Sequence, residues 1–338
     1  MNKERLALDV MGGDNAPRAI LGGAMLAVQD SFHTPMAPER IILVGDEEQL
    51  TALLEEAGGN PGFEVQHASE VVEMCDPPTA PLRGKTDSSI AVAVKAVATG
   101  DAGAVISMGN TGALVASATR LMGTLAGVKR PGIAVTFDLD KKPLTVLDMG
   151  ANTAPKPDHL VQYALMGSIY AREGLGCEVP RVALLNIGEE SSKGPELLRE
   201  AHASMGTVPI DFVGNIEGNA LFDGQADVVV SDGFTGNVVL KLLEGFSSFL
   251  LGLCQKELQQ HGVDWAPEAL TNMKQRIDYS EYGGALLLGV QGVVVVGHGR
   301  SDERAVANAL VLAARQLDLG VNESIVKGIA QAGAAPGA

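Results

Sequence analysis

Two polar residues in glycine-bracketed turns could do chemistry. Lys193 lies in Gly188-Glu189-Glu190-Ser191-Ser192-Lys193-Gly194, just ahead of Pro195. A lysine in such a loop before a helix can neutralise a phosphate or a developing negative charge. Its spacing is not that of a P-loop, and pairing with Glu189 or Glu190 in solvent is the plain alternative. Asn237 closes the crest Ser231-Asp232-Gly233-Phe234-Thr235-Gly236-Asn237. Similar glycine–asparagine crests are Gly109-Asn110, followed by Thr111, then Gly150 to Asn152, and Gly214-Asn215. Glycine lets the backbone approach a ligand, and asparagine offers donors and an acceptor without charge. Together they suit a polar, mostly neutral cradle for an oxyanion or phosphate. Singly, each is ordinary turn and cap chemistry. His298, between two glycines, could act as a general acid or phosphate donor, or be a simple turn histidine. Asp14, Asp87, Asp148 and Asp232 fall at element ends. They could bind a metal or orient donors, but their spacing matches no metal motif, and helix N-capping is the alternative. There is no GxSxG elbow and no CxxC pair, and GHGRSD (297–302) lacks the third glycine of a dinucleotide fingerprint.

These crests need strands beneath them. Short apolar runs at 6–10, 41–44, 63–67, 104–107, 133–137, 144–147, 182–185, 210–213, 228–230 and 293–296 read as strands. Helical spacing follows most of them: 17–28, after Gly45-Asp46 to about 56, 88–98, after Gly112 to about 122, 157–172, from 195, 238–260, 267–277 and 303–317. Strand and helix alternate, which predicts an α/β protein with a mainly parallel sheet. In such sheets ligands bind beyond the carboxyl ends of the strands, so the crests are expected to share a rim. Ser231, Asp232, Gly236 and Asn237 would lie where the run Val228–Val230 turns into a helix whose N-terminus favours an anion. No composition break marks a boundary. The expectation is one large domain over 1–332 with a protruding helical element at about 246–277 and a flexible tail at 333–338.

The chain has 338 residues, 46% of them apolar but only 4% aromatic, so Val, Leu, Ala and Ile must fill the core. A formal charge of −16 opposes nucleic acid, and the few aromatics offer little for base stacking. Three scattered cysteines fit a reduced, cytoplasmic setting. The N-terminus shows no signal-peptide pattern, and no unbroken run of about 18 apolar residues suggests a membrane span. Phe246, Phe249, Leu250 and Leu253 form an apolar face, with Lys256, Lys274 and Arg276 adding basic charge nearby and Trp265 between two helices. Core or subunit interface is the default, and contact with a membrane surface is the other reading.

The motifs, taken in order, resemble the phosphate acyltransferase (PlsX) family of bacterial phospholipid synthesis. They are DVMGGDNAP (9–17), VVEM (71–74), KTDSSI (85–90), SMGNTGAL (107–114), RPG (130–132), LDMGAN (147–152) and NIGEESSKG (186–194). GNIEG (214–218), SDGFTGNVVLK (231–241), EYGGALLLGVQG (281–292) and HGRSDERA (298–305) complete the set, which spans nearly the whole chain. The resemblance implies a three-layer αβα fold like that of isocitrate and isopropylmalate dehydrogenases. It implies formation of acyl phosphate from acyl-(acyl carrier protein) and inorganic phosphate, which a membrane glycerol-3-phosphate acyltransferase then uses. It also implies a homodimer in the cytoplasm, peripherally bound at the inner face of the membrane, with no metal or nicotinamide cofactor.

On that reading Lys193 and Asn237 make the main catalytic contacts. Asn110, Thr111, Asn152, Asn215, Ser231, Asp232, Gly236 and His298 bind substrate. Arg83, Lys85, Lys129, Arg130, Lys256, Lys274 and Arg276 are candidates for contact with the acidic carrier. Two positions depart from the family pattern. The segment before Asp87 carries only Arg83 and Lys85, and Asn219 stands where an arginine is common. Two other readings fit the sequence. One is a metal- and NAD-dependent hydroxyacid dehydrogenase of the same fold, and the other is a non-catalytic membrane-recruited scaffold.

Overall fold

A computed structural model describes residues 4–139, 142–261, 269–270, 273 and 283–333. The contacts divide the chain into two compact units, Met1–Pro131 with Gly283–Ala330, and Gly132–Tyr282 with Gln331–Ala338. The sequence pointed to one domain. Both units are built from the same strand–helix alternation, so no shift in composition marks the joint at Pro131.

The first unit opens with β1 (Leu6–Asp9), α1 (Arg18–Ala27), β2 (Ile41–Gly45), α2 (Glu47–Glu56) and β3 (Glu64–His67). It continues through α3 (Ala80–Arg83), α4 (Ser89–Thr99), β4 (Ala104–Ser107) and α5 (Thr111–Ser117). The second unit then contributes β5 (Gly132–Leu139), β6 (Lys142–Leu147), α6 (Pro157–Leu175), β7 (Arg181–Asn186) and α7 (Glu196–Met205). It ends with β8 (Asp211–Glu217), β9 (Val228–Val230) and α8 (Gly233–Gln260). The chain returns to the first unit with β10 (Ala285–Leu288), β11 (Val293–Val296), α9 (Glu303–Leu319) and all but the last three residues of α10 (Val321–Gly333).

The strand order in the first unit is β3-β2-β1-β4-β11-β10. All its pairs are parallel except β10 with β11. The order in the second is β5-β6-β9-β7-β8, parallel except for β5 with β6. Parallel strands covered on both faces need continuous apolar runs, and Leu6, Ile41–Val44, Ala104–Ile106 and Val228–Val230 are fully buried. Burying each such Val, Leu or Ile contributes about 1.5–3 kcal/mol. Helices leave these strands through short polar caps. Asp46 accepts from Gln49 N at 2.8 Å to start α2, and Asp302 accepts from Ala305 N at 2.9 Å to start α9. Helix α1 lies very close to α9: a side chain at Gly23 would come within 2.4 Å of Val306 Cβ.

The mainly parallel α/β expectation holds. Strand β10 and helix α10 were not anticipated. The run Ala285–Leu288 is too short to separate from a loop by pattern, and α10 follows α9 with only Gly320, at φ 62, between them. The expected helix at 267–277 and the tail residues 334–338 lie outside the described residues. Helix α8 is the one described helix long and apolar enough to cross a membrane, with mean hydropathy 1.4 over its best stretch. It shows no unbroken apolar run in sequence because Lys241 and Glu244 interrupt the pattern. By itself this is weak evidence for a span, and the first turn of α8 is packed into the second unit at Gly233, Gly236 and Leu240.

At the amino end of β7, Arg181 grips Asp227 with Nε (3.0 Å) and Nη2 (2.9 Å), and its own N–H adds a third bond at 2.8 Å. Burial alone would raise the Asp227 carboxyl, but the guanidinium and the N–H hold it below its ordinary value. A carboxyl with a lowered folded-state pKa contributes stability above its unfolded value and loses it as the pH falls through the folded one. Asp227→Asn is therefore expected to destabilise the protein at neutral pH. The gap from the parent should hold down to the ordinary aspartate value of about 4 and shrink as the pH falls below it, through the lower folded-state value. Urea denaturation across that range checks this; a gap independent of pH would contradict it.

Candidate functional site

In the second unit the carboxyl ends of β6, β9, β7 and β8 stand side by side. The register aligns Leu147 with Val230, Leu184 with Val230, and Asn186 with Glu217. The crests after β6 and β9 therefore start at one level, and β7 runs two residues further, to Asn186, before its own crest begins.

The crest after β6 is organised by Asp148, which is fully buried. Its carboxylate accepts from Ile133 N (2.9 Å), Gly150 N (3.1 Å), Ala151 N (2.9 Å) and Asn152 N (2.7 Å). Burial pushes the Asp148 carboxyl up, and these four N–H groups act against that rise. Successive N–H groups of this kind make an anion-binding nest, and here the protein's own carboxylate fills it. The backbone of this crest is thus not a free cradle for phosphate. Asp148 is neither an N-cap nor part of a metal cluster. Among the described residues no group of three His, Cys, Asp or Glu side chains is placed to hold a metal ion.

The crest after β9 is locked against the first. Gly233 N donates to Asn152 O at 2.9 Å, and Asp148 N donates to Ser231 O at 3.1 Å. A Cβ at Gly236 would lie 2.0 Å from Asp148 O, and one at Gly233 would lie 2.6 Å from Asn152 O. Only glycine lets the two backbones come this close. Asp232 caps α8 by accepting from Thr235 N at 2.9 Å. Buried Ser231 donates to Asp232 O at 3.0 Å. Asn152 donates to the Tyr163 hydroxyl. One turn into α8, the exposed Asn237 side chain lies beside Gly150, which has φ 141 and whose Cβ would sit 3.7 Å from it.

The loop after β7 carries Lys193. Buried Asn186 clamps it by donating to Lys193 O at 3.1 Å while its Oδ1 accepts from Ile187 N at 2.8 Å. Asn215 donates to Glu190 O at 2.9 Å from the neighbouring strand. Asn215 lies within β8, not on a crest past its end, because a bulge between Val182 and Ala183 re-phases the pairing and carries β8 on to Glu217. The Lys193 stem lies over Gly188, where a Cβ would be 2.9 Å from its Cγ. Its ammonium forms no ion pair with Glu189 or Glu190. Among the described residues, Lys193 and Asn237 keep their polar ends uncommitted while Asn152 and Asn186 spend theirs on the fold, and Asn215 commits its Nδ2 but leaves Oδ1 buried without a partner.

The first unit has its own rim, where Asp9, Ser107 and Val296 share one level. Buried Asp9 accepts from Ser107 Oγ at 2.6 Å, and Gly109 N donates to that same Oγ at 3.1 Å. Asp14 N donates to Gly299 O at 2.7 Å. Asn110 caps α5 through Ala113 N (3.0 Å) and turns its amide to the carbonyls of Glu73, Met74 and Asp76. It is therefore committed to fastening the 73–76 loop. Thr111 is exposed at the start of α5. His298 accepts from Arg300 N at 3.2 Å through Nδ1, as a turn histidine does. Asp87 accepts from Ser69 N and Oγ and is structural.

Of the basic candidates, Lys85 is bound to Asp76 (2.6 Å) and Val71 O (2.8 Å), so its charge is already balanced. Arg83, Lys129, Arg130 and Lys256 are exposed. Lys274 and Arg276 lie outside the described residues. Phe246, Phe249, Leu250 and Leu253 recur at helical spacing on α8, and all are exposed, Phe249 to 65%.

A family model described as "Fatty acid synthesis protein" matches residues 4–324. A phosphate acyltransferase of Heliobacterium modesticaldum is 44% identical over 332 residues, covering 96% of each chain. The chain belongs to the phosphate acyltransferase family. In fold, this phosphate acyltransferase-family chain is similar to a phosphotransacetylase from Streptococcus pyogenes, with TM-score 0.63 at 16% identity over 94% of both chains. It is also similar to a 4-hydroxythreonine-4-phosphate dehydrogenase from Klebsiella pneumoniae, with TM-score 0.51 at 14% identity, covering 91% of this chain and 98% of the other.

The clamping role of Asn186 has no signal in the sequence beyond its place in a motif. For Asp148 the sequence offers metal binding, orientation of donors or helix capping, and orientation of donors is what the structure shows. The closest warning in the sequence was an aspartate directly ahead of Met149-Gly150-Ala151-Asn152. Replacing Gly236 by alanine should drive the two crests apart and cost upwards of about 2 kcal/mol in chemical denaturation. Gly245→Ala, on a stretch of α8 where a Cβ meets nothing within 4 Å, should be neutral or slightly stabilising by comparison.

Proposed function

We propose that this chain transfers the acyl group of acyl-(acyl carrier protein) to inorganic phosphate. A phosphate oxygen attacks the thioester carbonyl, the C–O bond forms, and the C–S bond breaks to release the carrier thiol and acyl phosphate. Phosphate is the nucleophile, so no serine–histidine pair is needed, and the reading calls for no metal or nicotinamide. What catalysis requires is a held phosphate and donors for the tetrahedral oxyanion. The observation that carries the reading is that Lys193 and Asn237 stand on neighbouring parallel strands' crests with their polar ends uncommitted. Lys193 would balance phosphate charge, and Asn237 would donate to the oxyanion. Asn152, Asn215, Ser231, Asp232 and Gly236 hold the crests that position them. Asn110, Thr111 and His298 belong to the first unit's rim; Asn110 would act there by fastening the 73–76 loop, and a direct substrate role for Thr111 and His298 is part of this proposal.

The test uses purified protein, a long-chain acyl carrier protein and phosphate. Acyl phosphate and free carrier should form, and thioester loss no faster than in a phosphate-free control would overturn the reading. Lys193→Ala and Asn237→Ala should each lower kcat by about 100-fold or more with the fold intact. Near-normal turnover in either variant would remove that residue from the mechanism. The metal-dependent dehydrogenase reading has no ligand cluster to rest on among the described residues. The scaffold reading predicts that Lys193→Ala leaves function in cells unchanged.

Further features of the proposal are a fold of the isocitrate/isopropylmalate dehydrogenase type with three αβα layers, and a homodimer in the cytoplasm. Acyl phosphate would pass to a membrane glycerol-3-phosphate acyltransferase. An acidic carrier meets a chain of net charge −16, so its docking needs a local basic surface such as Arg83, Lys129, Arg130 or Lys256. Peripheral contact with the inner face of the membrane would use the apolar side of α8. Glutamate at both Phe249 and Leu253 should then weaken binding to vesicles of bacterial phospholipid. Unchanged binding by a folded variant would assign that face to a subunit contact instead.

A further inference from the structure

The two residues with uncommitted polar ends each have exposed apolar company. Ile187 opens the loop that carries Lys193 and is 80% exposed. Phe234 and Val238 stand on the first turns of α8, on either side of Asn237 in sequence, and are 63% and 53% exposed. One exposed apolar residue on a surface needs no explanation. Three of them on two adjacent crests, otherwise built from glycine and polar residues, call for one.

Their placement is fixed locally. Asn186 accepts from Ile187 N at 2.8 Å and donates to Lys193 O at 3.1 Å, so one carboxamide holds both residues. Residues three and four apart on a helix are neighbours, so Phe234 lies beside both Asn237 and Val238. Leu184 of β7 pairs with Val230 of β9, and Ile187 and Phe234 follow that pair within four residues on their two chains. The crest after β6 makes the contrast. Its N–H donors are filled by Asp148, and its Met149 is buried.

A subunit contact over this patch would take the Lys193 ammonium out of water and would need a carboxylate from the other copy. The amphiphile of the proposed reaction needs no such supplement. Its reacting carbon bears an oxygen that takes up negative charge and an alkyl chain that does not. We propose that Ile187, Phe234 and Val238 are specificity-determining residues that receive the first carbons of that chain as the thioester carbonyl meets Asn237. This rests on the acyl-transfer reading and adds to it a preference for fatty acyl over acetyl thioesters. Each methylene taken out of water is worth about fourfold in binding. The apolar cover also excludes water from the carbonyl, which strengthens the polar contacts beneath it.

The test compares kcat/KM for octanoyl and acetyl carrier protein at saturating phosphate. The parent should prefer the octanoyl substrate. Ile187→Ser and Phe234→Ser should each lower that preference at least about tenfold. Ile187→Leu and Phe234→Leu, which keep an apolar end, should retain most of it. Val238→Ser, on the next turn of α8, gives a third route to the same loss if either serine variant does not fold. Equal kcat/KM for the two substrates in the parent would overturn the inference and leave acyl transfer standing. So would an equal fall for both substrates in the folded serine variants, which is what lost support for Lys193 or Asn237 produces. A parent that forms no acyl phosphate from either carrier would overturn the acyl-transfer reading itself, and this inference with it.

Discussion

Asp148 is a carboxylate with no exposure to water, and four backbone N–H groups converge on it. An isolated buried charge is unfavourable by many kcal/mol, and hydrogen bonds of this kind are what make it tolerable. They also set the shape of everything around it. Three of the four donors come from the crest that follows, so the loop is wound around its own anion. The fourth, Ile133 N, ties that loop to the antiparallel neighbour β5. The turn into α8 rests on this frame, with Gly236 against the Asp148 carbonyl.

This arrangement divides the labour of the polar residues. Backbone donors, together with Asn152, Asn186, Asp232 and Ser231, build a rigid rim. Lys193 and Asn237 are then presented from that rim with nothing of their own to hold. On the proposed reading, an external anion would meet side-chain donors on a pre-formed support, and little reorganisation would be required when charge develops. The first unit repeats the principle with a different buried carboxyl, since Asp9 and Ser107 fix the spacing of Gly12 and Gly109.

Much of this was legible in the sequence. The valine and isoleucine runs reported buried strands, and the glycine–asparagine crests reported where their carboxyl ends lie. What pattern could not separate was an asparagine that caps or clamps from one that waits for a ligand. Asn110 and Asn237 follow the same local rule, yet one turns its amide onto three carbonyls and the other is left free. The difference lies in partners distant in sequence, Glu73 to Asp76 for Asn110, and no local window contains them. The bulge that places Asn215 inside β8 has the same character. It arises from pairing with β7, not from the composition of the segment itself. The joint at Pro131 was invisible because the two units share one vocabulary of elements.

Helix α8 has mechanical consequences. At 1.5 Å per residue its 28 residues make a rod of about 42 Å. Its inner end is wedged where not even a methyl group fits, while most of its length presents side chains to the outside. Such a rod behaves as a lever with a fixed fulcrum. Whatever grips its outer half applies torque about Gly236, and the first side chain beyond that pivot is Asn237.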